Sequence, residues 1–369
     1  MRIAFLTPVS LREWGGVEYW IFNIAQLLSK KHQVVVISNG IFSKKRMKQL
    51  PLHLFGYYEL PTLAITSLKP AIILPHYPKW IEDFDIIYLY HASLLYSYKI
   101  LQSLKRPIIL GIHYNILPFS NFNFAERIAL SLFSYILERA VAISCRSNYQ
   151  AYLLQKLFEV KRDKIFVNRP FVESSFKPCS EKRHFTVLFV GRLTEGKGIE
   201  IVLEAINQTN EDIRWVFIGS GEAKYETILK KISKKKPNVI WKGFIASKKL
   251  PKEFSEASVT LIPSKNEAFP NVALQSLACG TPVILSRIPS SLELASLLPV
   301  KAYSLFNFGA SHELLKAILQ WKRIIENNSI YYKKISNRAS NFIRNNFSLH
   351  MALNSFEVMI NKILEGKEE

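Results

Sequence analysis

The stretch Pro263–Ser286, PSKNEAFPNVALQSLACGTPVILS, decides the fold. The residues before it, Val259–Ile262, are mostly apolar with three β-branched side chains, which reads as a buried strand. A polar loop carrying Glu267 follows. Pro270 then stands where a helix can begin, since its missing N–H is no loss in a first turn. The helix opening at Asn271 runs to Gly280, a C-cap, and Pro282–Leu285 reads as the next buried strand. Strand, helix and strand in succession predict a parallel pair joined by a crossover helix. Glu267 and Gln275 lie about two helical turns apart, near enough to border one ligand.

The alternation extends outward in both directions. Toward the C-terminus, 312–345 reads as two helices and Leu349–Leu364 as a last one. Toward the N-terminus the strands are Val239–Lys242, Trp215–Ile218 and His184–Val190, with a helix over Ile199–Asn207. The segment Phe176–Arg183, FKPCSEKR, interrupts the pattern: it is polar and carries a proline. Before it the alternation starts afresh. Strands fit Arg2–Leu6, Val34–Ile37, Ile86–Tyr90, Pro107–Gly111, Ala140–Ser144 and Lys164–Val167. Helices fit Val17–Leu28, Ala125–Glu138 and Asn148–Leu157. The fold class is therefore α/β, with two Rossmann-like, doubly wound domains joined near residue 180. The expected domains are 1–177 and 178–345, with 346–369 as a C-terminal helix packing back on the first. In such sheets ligands bind beyond the carboxyl ends of the strands, so the two edges are expected to face one cleft.

The composition supports buried sheets. Apolar residues make up 49% of the 369, with 24 Phe and 16 Tyr. Lys and Arg number 49 against 29 Asp and Glu, a formal charge of +20, which attracts polyanions or an anionic membrane face. No nucleic-acid-binding motif or zinc spacing accompanies that charge, so no nucleic acid is expected as partner. Cys145, Cys179 and Cys279 show no pairing pattern and suit a reduced, cytoplasmic protein. Met1–Thr7 reads as a strand, not a signal peptide. The most apolar run, Ile128–Ile143, contains Glu138 and Arg139 and does not read as a membrane span.

Chemistry concentrates after two strands. In FVGRLTEGKGIE, Phe189–Glu200, a strand ends and Arg192, Lys197 and a helix start follow at once. Two cations beside a helix N-terminus suit a dianionic group such as a diphosphate. Elsewhere, Lys44, Lys45, Arg46 and Lys48 stand among Ile41, Phe42, Met47 and Leu50, a mixture that suits an anionic membrane surface at roughly 1 kcal/mol per cation. His113 and His91 each end a strand. For His91 a structural, hydrogen-bonded role is expected.

Five motifs in order, GRLTEGKG, IGSGE, VIWKGFI, PSKNEAFPNVALQSLACGTPVI and Glu293, resemble glycosyltransferase family 4, the retaining enzymes of GT-B fold. The opening GGVEYWIFNIAQLLSKKHQVVVIS is similar to that family's first glycine loop, helix and second strand. The resemblance is dense over 187–293 and 1–38, and thin over 40–110. It implies transfer of a sugar from a nucleotide-sugar donor to a glycan or lipid-linked acceptor; with the Lys44–Lys48 cluster, a cytoplasmic protein peripheral on the inner face of the cell membrane is expected.

Residue by residue, it implies that Arg192 and Lys197 hold the donor diphosphate and that Glu267 lies near the donor sugar. Phe269, Pro270, Asn271 and Val272 form the helix start whose N–H groups meet sugar and phosphate. Gly191 and Gly219 fall in the donor-binding turns, and backbone groups of Phe244 and Ile245 meet the base. Gly15 and Gly16 approach the phosphate and acceptor, and His113 faces the donor sugar. One position departs: Gln275 stands where the family has a second glutamate. An amide still accepts a hydrogen bond from the ribose, at a cost on the order of 1 kcal/mol in affinity.

With two cations at the diphosphate no cofactor and no metal are expected, and no Asp-X-Asp pair of the metal-holding kind is read. The competing readings are a GT-B sugar-nucleotide epimerase, a non-catalytic sugar-nucleotide-binding protein and, on charge alone, a nucleic-acid binder.

Overall fold

The computed structural model describes residues 1–8, 16–38, 56–59, 64–65, 72–73, 77–91, 94–114, 124–181, 184–209 and 212–365. The chain divides into two compact units. Unit 1 comprises Met1–Arg169 and the segment from Leu349 onward; unit 2 is Pro170–Ser348.

Unit 1 runs β1 (Arg2–Thr7), α1 (Gly16–Leu28), β2 (Gln33–Ser38), β3 (Gly56–Glu59), β4 (Ala64–Ile65), β5 (Ile72–Ile73), β6 (Ile86–Tyr90), α2 (Leu94–Ser103), β7 (Ile108–Gly111), α3 (Phe124–Arg139), β8 (Ala142–Cys145), α4 (Asn148–Phe158) and β9 (Ile165–Val167). Its seven-stranded sheet has the order β3-β2-β1-β6-β7-β8-β9, with every pair parallel. β4 and β5 form a separate antiparallel pair.

Unit 2 runs β10 (Thr186–Val190), α5 (Ile199–Asn207), β11 (Arg214–Ile218), α6 (Ala223–Lys235), β12 (Val239–Trp241), α7 (Leu250–Glu256), β13 (Val259–Ile262), α8 (Asn271–Ala278), β14 (Val283–Ser286), α9 (Pro289–Leu297), β15 (Tyr303–Phe306), α10 (Ser311–Asn327) and α11 (Ser329–Asn346). Its sheet has the order β12-β11-β10-β13-β14-β15, again all parallel. A last helix, α12 (Leu349–Glu365), belongs to unit 1.

Both sheets are covered on two faces, which is why their strands read as unbroken apolar runs. In β10, Val187 and Phe189 enter one buried cluster and Leu188 the other. The strand order reverses between β1 and β6 in unit 1, and between β10 and β13 in unit 2. These are the switch points where doubly wound sheets bind ligands.

The sequence places the domain junction at 177/178; the structure places it at 169/170. The polar segment is not a linker, because Phe176 is fully buried in unit 2 against Phe254. Val172 also bridges to Ser348, tying both ends of unit 2 together. Unit 2 accordingly ends at Ser348, not 345. α12 packs on unit 1 through Phe356, whose ring lies 5.9 Å from Phe5, 5.7 Å from Trp20 and 5.4 Å from Tyr88. Cys145, Cys179 and Cys279 are all free thiols. Among the described residues, no helix is long and apolar enough to cross a membrane.

Candidate active site

In unit 2 the loops after β10 and β13, on either side of the switch point, are locked together. After Val190 the chain makes a glycine turn and a short 3-10 turn, Glu195–Lys197, before α5. Gly198 has φ +69°, and a Cβ there would stand 1.9 Å from the Pro263 carbonyl oxygen. Lys265 N–H donates to the Gly196 carbonyl at 2.9 Å. That close approach brings Lys197 Nζ to 2.5 Å from Glu267 Oε1. Ser264 Oγ donates to the same carboxylate oxygen at 2.7 Å, and Ser286 of β14 holds the Ser264 carbonyl. The Lys197 and Glu267 side chains are 28% and 17% exposed, so the pair is only partly screened. Arg192 is exposed, and its guanidinium has no partner among the described residues.

The neighbouring turns interlock in the same way. Gly219 N–H donates to the Gly243 carbonyl at 2.8 Å. A Cβ on Gly219, whose φ is +131°, would stand 1.9 Å from the Gly191 carbonyl oxygen. Trp241 Nε1 donates to the Gly219 carbonyl. Beyond Gly243 comes Phe244, 61% exposed, and then Ile245, half-buried against the unit 2 core.

At the start of α8, Phe269 is buried with its ring 5.9 Å from Phe347, and Pro270 is buried as well. Only their backbone is left to meet a ligand. Along α8, Ala273, Leu274, Ser276 and Leu277 are buried. Asn271 is exposed, and Val272 and Gln275 are half-buried. Those three form one stripe at helical spacing. The structure therefore brings Gln275 onto the face that begins at the helix N-terminus.

In unit 1, His113 follows β7. Its Nε2 lies 2.6 Å from the Tyr88 hydroxyl and its Nδ1 2.7 Å from Arg146 Nη2. The ring packs edge-on against Trp20 at 4.9 Å. Burial, and after it the charge of Arg146, holds its pKa well below the usual histidine value. His91, after β6, is buried with Nδ1 2.6 Å from Ser97 Oγ, and burial pushes its pKa down to about 3. Gly16 opens α1. Gly15 lies outside the described residues, as do Lys44, Lys45, Arg46 and Lys48.

The family model for glycosyl transferases group 1 matches residues 172–341. The model for glycosyltransferase family 4 matches 14–176. The chain belongs to glycosyltransferase family 4. It is 25% identical over 232 residues to an uncharacterised 41.2 kDa protein of the cps region of Klebsiella pneumoniae, covering 58% of this chain and 63% of that one. That match spans just under two thirds of the relative's length. It is also 25% identical to the O-antigen biosynthesis glycosyltransferase WclY of Escherichia coli, over 80% of this chain and 82% of that one. In fold it resembles Anabaena HepE, solved in complex with UDP: the TM-score is 0.76 at 17% identity, covering 98% of this chain and all of that one.

Two features of this family 4 member escape sequence reading. The sequence does contain an Asp-X-Asp, Asp83–Phe84–Asp85, but it precedes β6 at the amino edge of the sheet, where Asp85 accepts from the Arg2 N–H at 2.8 Å. Among the described residues, no group of three or more His, Cys, Asp and Glu side chains lies where it could hold a metal ion. The second feature is Arg146, buried beside His113. Its only sequence signal is a cation directly after an apolar strand, which by itself predicts a solvated loop.

Proposed function

We propose that this family 4 glycosyltransferase moves a sugar, with retention at the anomeric carbon, from a nucleotide-diphosphate sugar to a glycan or lipid-linked acceptor. The observation that carries the reading is that Arg192 and Lys197 stand in the loop after β10 and α8 starts after β13, the two strands that flank the switch point of unit 2. As the sugar–phosphate bond breaks, negative charge grows on the diphosphate. Two cations and a helix N-terminus stabilise that charge without having to reorganise. The departing phosphate takes the acceptor's proton, so no side chain need act as base, and the two cations do the work a metal would otherwise do. Glu267 is steadied through Oε1 by Lys197 and Ser264, leaving Oε2 to accept from a sugar hydroxyl. Gln275 accepts from the ribose. The UDP named in the HepE structure and the O-antigen role named for WclY support this donor and acceptor chemistry.

On the same reading, the Lys44–Lys48 stretch docks on an anionic membrane, so the protein works as a peripheral protein on the inner face. Binding to anionic vesicles that fades with salt supports the docking; indifference to them at low salt overturns it. The donor test is thermal unfolding with UDP, GDP and ADP, followed by transfer assays with the sugars of whichever nucleotide stabilises the fold. Stabilisation by none of the three overturns the proposal.

A further inference from the structure

His113, half-buried, stands in a network drawn from six parts of unit 1. Arg146 Nη2 faces its Nδ1 at 2.7 Å, and a guanidinium can only donate. Nδ1 therefore carries the lone pair, and the proton of the neutral ring sits on Nε2. The Nε2–H donates to the Tyr88 hydroxyl at 2.6 Å. That hydroxyl reaches the site because residue 111 is glycine: a Cβ on Gly111 would stand 2.3 Å from it.

Arg146 is itself held from every side. It is 5% exposed, its Nη1 donates to the Asn168 carbonyl at 2.9 Å, and its guanidinium lies 4.4 Å from the Trp20 ring. Its backbone N–H donates to Gln150 Oε1. Asn168 is fixed in turn by donating to Ser144 Oγ at 3.0 Å and accepting from Ser355 Oγ of α12 at 2.7 Å. Among the described residues no carboxylate pairs with Arg146. A buried cation without a counter-charge is expensive, and an apolar side chain of its length would serve packing better. Its geometry is spent on the imidazole.

We propose that Arg146 is a positioning residue that holds His113 as the neutral Nε2–H tautomer, so that the histidine stays out of proton transfer while sugar moves. This rests on the donor reading above, in which the leaving diphosphate takes the acceptor's proton. The groups around the ring agree with it. Tyr88 and Tyr90 of β6 flank it, and burial raises both phenols, Tyr88 to about 12. The carboxylate of Glu18 on α1 acts on Tyr90, and the Cys145 thiol of β8 acts on Arg146. Burial and Arg146 are what shift His113.

The test is ¹⁵N NMR of the full chain labelled at histidine, together with transfer kinetics. In the wild type, His113 is expected to show protonated Nε2 and bare Nδ1, unchanged from pH 5.5 to 8. In Arg146→Met the ring is expected to populate both tautomers and to titrate in that range. Its kcat is expected to fall about tenfold with donor KM unchanged, and its rate profile to gain an acid limb. Arg146→Lys restores a donor at Nδ1 and should recover the single tautomer. Tyr88→Phe removes only the acceptor at Nε2 and should leave the tautomer unchanged, which keeps the test open if Arg146→Met does not fold. A wild-type proton on Nδ1, a Tyr88→Phe ring that switches tautomer, or an Arg146→Met ring indistinguishable from wild type overturns the inference. A normal tautomer pattern in a protein that transfers no sugar would instead sink the donor reading alone.

Discussion

The carboxyl edges of the two sheets are built on opposite principles. In unit 2 the chemistry comes from two loops, after β10 and β13, held together at the switch point. Arg192 and Lys197 share one loop, Glu267 and Gln275 share another loop and its helix, and the charged groups are at least partly open to solvent. In unit 1 it is assembled. Residues 20, 88, 113, 146, 168 and 355 meet, with His113 and Ser355 half-buried and the one cation among them buried. An open edge can meet an anion with exposed Arg192 and half-buried Lys197, the latter set in place by Glu267. A buried, assembled edge can fix one side chain in one protonation state but has little freedom to reach out. On the proposed donor reading, the difference would give charge stabilisation to unit 2 and alignment to unit 1.

The comparison breaks most readily at the cations. Arg192→Ala and Lys197→Ala should each lower kcat/KM by roughly 100-fold or more and abolish the thermal shift given by the nucleotide. An unchanged shift would mean that the diphosphate lies elsewhere. Next come the interlocked turns. Gly219→Ala forces a Cβ onto the Gly191 carbonyl and should cost on the order of 2 kcal/mol or more in chemical denaturation. Gly196→Ala, which meets nothing within 4 Å, is the matched control.

Acid sharpens the contrast from the other side. His91 has its pKa depressed to about 3 by burial, so the unfolded chain binds a proton that the folded one refuses. Its contribution to stability is complete above the unfolded value near 6.5 and is lost as pH falls from there toward 3. Between pH 7 and 5 it should account for about 2 kcal/mol, with His113 acting in the same direction. His91→Asn should flatten that slope, while Lys197→Ala should leave it alone. The smallest effect is expected at the departing position: Gln275→Glu should tighten donor binding by about 1 kcal/mol, roughly fivefold. A glutamate that weakens binding would show that the ribose lies elsewhere.

Much of this architecture was legible in the sequence. Strands buried on both faces announce themselves as apolar runs, and Pro270 and Gly280 bracket α8 by turn chemistry alone. The direct pairing of Lys197 with Glu267 was not legible, because it depends on Gly198 lying against Pro263, a contact between loops 65 residues apart in the chain. The junction was misplaced because Pro178 and its polar neighbours look like linker, while the single residue that decides, Phe176, gives no local sign that it fills a core. Arg146 and Asn168 were invisible for the same reason. Their roles come from neighbours drawn from distant parts of the chain.

The discontinuity of unit 1 has a consequence in time. α12, which supplies Phe356 and Ser355 to the faces of β1, α1 and β6 and to Asn168, is translated only after all of unit 2. Unit 2 is one unbroken segment, whereas unit 1, although begun first, lacks α12 over its aromatic seam until unit 2 has been made. Until then Phe5, Trp20 and Tyr88 lack the Phe356 ring that covers them, an apolar seam of the kind that invites aggregation in a growing chain.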